Sequence, residues 1–112
     1  MTEMSAHGYP RFTTQEWTQA AERVGMAPQM MAARSAWAAV YTRFAPRLRA
    51  MQADWAKNEK RYEITDRVGE LAFYRRYFPE FVQFEADYDA AWDAVMACRR
   101  CIWQAMQMEV AA

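Results

Sequence analysis

Residues 79–108 constrain this chain more than any other stretch, because a proline opens them and neither glycine nor a further proline interrupts them. Phe81, Phe84, Tyr88, Ala91, Val95, Cys98, Ile102 and Ala105 recur at spacings of three and four, which is the seam of a helix packed along its whole length. At about 1.5 Å per residue such a helix runs roughly 45 Å. It reads as a spine for the shorter segments before it.

Those segments also read as helical. Residues 1–11 contain Gly8 and Pro10 and show no periodicity, which predicts a flexible N-terminal arm ahead of a single helical domain over 12–112. Thr13 followed by Glu16 has the form of a capping box, with Phe12 and Trp17 as its hydrophobic staple. A helix from about residue 14 to 24 follows, stopped by Gly25. Pro28 suits the first turn of a second helix, whose stripe is Met30, Ala33, Trp37, Val40 and Phe44. Pro46 predicts an end or a kink there, after which Leu48, Met51 and Trp55 resume the stripe through a third helix to about residue 61. A break is expected between residues 62 and 66, where Thr65 and Asp66 offer a cap. Residues 66–77 then carry apolar groups on every side, the pattern of a helix wedged between others. No stretch alternates like a strand, so the expected fold is all-α: a compact bundle of four to five helices with the long C-terminal helix as spine.

The side chains are larger and more apolar than one small core needs. Hydrophobic residues make up 54% of the 112, with five Trp, six Tyr, six Phe and nine Met, against a usual apolar share of about 45–50%. Such a surplus predicts a surface that covers a partner or a second copy. The formal charge is zero, which argues against a dedicated nucleic-acid protein. No run of residues approaches the length of a membrane helix, residues 1–10 lack the form of a signal peptide, and the two cysteines suggest reduced thiols. The chain therefore reads as cytoplasmic. Its bias toward arginine and alanine is that of a GC-rich bacterial or phage coding sequence.

Residues 20–31 combine small Ala21, Gly25 in a turn, Val24 and Met26 on either side of it, Pro28 opening a helix, and apolar Met31. This stretch resembles the core of a DNA-binding helix-turn-helix. The resemblance covers about a tenth of the chain and fails at Arg34, where the motif has a buried apolar residue. It implies nucleic-acid contacts from Gln29, Arg34, Arg43 and Arg47. A structural corner is the reading the residues favour, because glycine–proline corners are common between packed helices.

Other chemistry lacks its parts. Glu85, Asp89 and Asp93 form an acidic stripe on the spine, which pairs more naturally with the arginines at 43, 47, 49, 75 and 76 than with a metal. Cys98 and Cys101 form a C-x-x-C inside the spine helix rather than at its N-terminus, with no second pair to complete a zinc site. His7 is the sole histidine, and no glycine-rich phosphate loop or nucleophile motif occurs. Neither a catalytic centre nor a cofactor is expected.

What is left is a second stripe on the spine: Trp92, Met96, Arg99, Trp103 and Met106. A helix with two apolar faces sits between other helices or gives one face to another molecule. The sequence thus points to a non-enzymatic helical interaction module, of the small bacterial or phage adaptor or inhibitor type, docking a protein surface and pairing with itself as a dimer. That surface is expected from the second stripe together with Glu85, Asp89 and Asp93. The alternatives are a helix-turn-helix DNA-binding regulator using residues 14–44 and a small-molecule-binding helical bundle.

Overall fold

The computed structural model describes residues 7–62 and 67–111, with the side chains of residues 7–57 and 67–110. Among them the chain is all-α, with four helices: α1 (Thr14–Arg23), α2 (Ala27–Tyr62), α3 (Arg67–Tyr77) and α4 (Pro79–Ala111).

The helix ends follow from local chemistry. Thr13 takes an extended backbone and its hydroxyl accepts from the Glu16 amide at 3.1 Å, while the Glu16 carboxylate accepts from the Thr13 amide at 3.0 Å. This reciprocal pair satisfies two amides that the first turn of α1 leaves without partners. At the other end Gly25 adopts φ +74°. The Gly25 amide then donates to the Glu22 carbonyl at 3.2 Å and the Met26 amide to the Ala21 carbonyl at 2.7 Å. These are the two bonds of a Schellman motif, and the left-handed residue they need is the glycine. One residue, Phe78, separates α3 from α4, its amide donating back to Tyr74 at 2.9 Å. Pro79 then starts α4, where its missing N–H costs nothing.

Two expectations change. The second and third helices foreseen from the sequence are one, since α2 carries Pro46 inside it and continues to Tyr62. An interior proline costs about 3 kcal/mol, and Phe44, Leu48, Met51 and Trp55 on both sides of it pack on one core that offsets this. The wedged helix is also not observed. In α3 only Tyr74 is fully buried, while Val68 is 76% and Tyr77 57% exposed. The break foreseen at residues 62–66 falls on residues 63–66, outside the described residues.

The helices supply two compact units, Met1–Ala38 with Ala90–Ala112, and Ala39–Asp89. The first has a core of Tyr9, Trp17, Ala20, Ala21, Met30 and Ile102. Tyr9 meets Trp17 edge to face at 5.3 Å. Tyr9 and Pro10 are buried, and an aromatic ring against an indole offsets the cost of ordering them. The second unit is built on Met51, Tyr74 and Phe81, with Phe44 stacked on Phe84 at 4.3 Å.

The seam of the spine is as expected. Phe81, Val95 and Ile102 are buried and the other five seam residues half-buried. No helix of the described residues is long and apolar enough to cross a membrane.

Candidate functional site

The second stripe of α4 divides into two parts with different surroundings. In its first half, Trp92 packs on Trp37 at 4.8 Å. Arg99 lies between two indoles, its guanidinium carbon 5.7 Å from the Trp17 ring centre and 5.2 Å from that of Trp92. Its Nε is buried without a hydrogen-bond partner. A guanidinium, being weakly hydrated and planar, is the cation that aromatic faces accommodate best. With Met96 half-buried as well, residues 92–99 serve mainly the interior of their unit.

The second half is open. Trp103 and Met106 pack on the first core, Trp103 edge-on to Phe12 at 6.2 Å. Together with Arg23, Gln107 and Val110 they also line a groove of about 330 Å³. Trp103, Met106, Gln107 and Val110 stand at i, i+3, i+4 and i+7, one face of α4. Val110 is 82% exposed and Met108 73%. Arg23 of this lining also forms an ion pair with Glu109 at 3.0 Å, exposed on both sides. Val110 and Met108 escaped the sequence reading, although continuing the stripe by one turn from Met106 reaches Val110.

The acidic stripe is not one site. Arg75 hydrogen-bonds both oxygens of Glu85 at 2.7 Å, and this holds the Glu85 carboxyl below the usual range. Asp89 lines a cavity in the same unit, whereas Asp93 is exposed in the other. The four residues considered for nucleic acid are likewise divided. Gln29 is exposed and Arg34 half-buried in the first unit, where Arg34 reaches toward the Thr18 hydroxyl at 3.4 Å. Arg43 and Arg47 belong to the second. Arg47 donates from Nε to Glu80 at 2.7 Å and lies over the Phe78 ring, and Arg43 shares a groove with Glu80 and Asp87. Carboxylates beside both lessen their pull on a phosphate.

Both cysteines are free thiols. Burial, with a smaller effect from neighbouring Cys101, pushes the Cys98 thiol up, the opposite of what a reactive thiolate requires. Among the described residues no group of three or more His, Cys, Asp or Glu could hold a metal ion. No family model, no curated protein and no solved structure matches the chain.

Proposed function

We propose that this protein is a non-enzymatic helical interaction module that docks a protein surface, a second copy of itself first, through the last turns of α4. The observation that supports this reading most is the groove of Trp103, Met106, Gln107 and Val110, lined also by Arg23 of α1, with Val110 82% exposed. Trp, Met and Arg are the residues enriched in interface cores, and an apolar stripe at helical spacing is what a partner helix covers. In a two-fold dimer the same stripe lies on both sides, so each Val110 finds an apolar counterpart. Bundle packing of the whole chain is part of the same reading.

Light scattering behind gel filtration tests it. The chain has a mass of 13.2 kDa, so a dimer elutes at twice that. Val110→Glu, at an exposed position outside either core, is expected to return it to the monomer without unfolding it. A monomer at every concentration, for the unaltered chain, contradicts the proposal.

The alternative of a DNA-binding regulator rests on the resemblance of residues 20–31 to a helix-turn-helix core, with Gly25 at a positive φ between α1 and α2 and Pro28 in the first turn of α2. It requires a mobility shift that weakens steeply with salt. It also requires that Gln29→Ala and Arg34→Ala reduce that shift.

A further inference from the structure

The Ala39–Asp89 unit contains a cavity of about 240 Å³, smaller than the roughly 300–1,000 Å³ of sites for drug-sized ligands. One wall is a single face of α4, where Phe81, Phe84, Glu85, Tyr88 and Asp89 stand at i, i+3, i+4, i+7 and i+8. The rings form a continuous ladder, with Tyr74 to Phe81 at 5.2 Å, Phe81 to Phe84 at 5.8 Å and Phe84 to Tyr88 at 5.7 Å. Tyr41 from α2 lines the cavity as well and is 50% exposed.

The charges around it favour one sign. Glu85 and Asp89 are in the lining, and Glu70 adjoins it through its hydrogen bond from the Tyr74 hydroxyl. Arg67 is the basic group among the described residues of the lining, largely exposed and tied to Glu70 at 3.0 Å. Arg75 engages Glu85, which leaves Asp89 as the exposed carboxylate of the wall outside that pair. Aromatic faces carry negative partial charge and attract cations, so rings and carboxylates act in the same direction.

The kind of cation follows from what the walls lack. A metal ion requires several oxygen or nitrogen ligands at fixed geometry; Glu85 is engaged by Arg75, and among the described residues no group of three or more His, Cys, Asp or Glu could hold one. A primary ammonium is strongly hydrated and needs three acceptors. An ammonium carrying methyl groups spreads its charge over apolar surface and loses little on leaving water. We propose that this cavity binds a trimethylammonium headgroup against Tyr41, Phe84 and Tyr88, with Asp89 balancing its charge.

The test compares two ligands of one shape, choline and the neutral 3,3-dimethylbutan-1-ol, titrated into the labelled full chain and followed by NMR. Choline is expected to shift signals from residues 41, 84 and 88 saturably and to bind about tenfold more tightly than the neutral isostere. Asp89→Asn is expected to weaken choline about threefold or more, while Arg100→Gln, at an exposed position in the other unit, leaves its binding unchanged. Equal binding of the two ligands, saturable shifts elsewhere, no saturable shift, or indifference to Asp89→Asn each overturns the proposal. A trimethyl-lysine peptide distinguishes the sources. Tighter binding than choline assigns the headgroup to a polypeptide, and binding no tighter than choline assigns it to a free small molecule.

Discussion

The guanidinium carbon of Arg99 lies 5.2 Å from the centre of the Trp92 ring. On its other side is Trp17, which is 1% exposed, and the Arg99 Nε between them has no hydrogen-bond partner. The arginine is therefore held by ring faces and by packing of its stem rather than by a carboxylate. Arg99→Ala is expected to cost about 1–2 kcal/mol, because both the cation–π contact and the stem are lost. Arg99→Met, which refills the space and removes the unpaired Nε, is expected to cost less than about 1 kcal/mol. Urea denaturation of the two variants checks the order.

The capping box of α1 gives a second expectation. Thr13→Ala removes the oxygen that accepts from the Glu16 amide and is expected to lower stability by about 1 kcal/mol. Glu16→Gln keeps an acceptor for the Thr13 amide and is expected to cost less. Circular dichroism melts of both variants against the unaltered chain check it.

At Gly25 the backbone has φ +74°, yet a Cβ added there meets nothing within 4 Å. Gly25→Ala is therefore expected to cost about 1 kcal/mol from conformation alone. Gly25→Asn, whose side chain tolerates the left-handed region, is expected to recover part of that loss. Chemical denaturation at one temperature separates the two.

Acid sensitivity follows from Glu85 and Glu80. Arg75 holds the Glu85 carboxyl below its ordinary value of 4.5. A backbone hydrogen bond at the start of α4, with Arg47 second, does the same for Glu80. Their folded values are depressed, so the stability they contribute is present above pH 4.5 and disappears as pH falls through the lower folded values. Stability is expected to decline as pH falls below 4.5, and less steeply in Glu85→Gln. Unfolding midpoints at a series of acid pH values measure the slope.

Tyr74 predicts the alkaline limit. Its buried hydroxyl donates to Glu70 Oε1 at 2.6 Å, and burial first, then that bond, raises its ionisation far above the ordinary tyrosine value. A raised folded value means that stability is full below about pH 10 and is lost as pH rises beyond it. Ultraviolet titration should find one tyrosine that ionises only on unfolding. In Tyr74→Phe that signal is gone and stability falls by about 1.5 kcal/mol.

Helix identity was legible in the sequence wherever a periodic stripe met a capping signal, as at Thr13, Gly25 and Pro79. The continuity of α2 was not, because a local rule for Pro46 carries no information about the core that Phe44, Met51 and Trp55 build around it. The same limit applies to α3, where Val68 and Tyr77 are apolar in type but exposed in place. For the candidate surface, spacing identified Trp103 and Met106. It could not separate them from Trp92 and Arg99, since only three-dimensional contacts show that the first half of the stripe faces Trp17 and Trp37. The aromatic cavity was equally hidden, since its rings come from three helices.

The most direct test of docking through α4 is an isotope-filtered NMR experiment on an equal mixture of labelled and unlabelled chains. The account predicts intermolecular cross-peaks from the Met106 and Val110 methyls to Trp103 of the second copy. Cross-peaks that arise instead from Val68 or Val82, or none at concentrations where the mass is that of a dimer, contradict it.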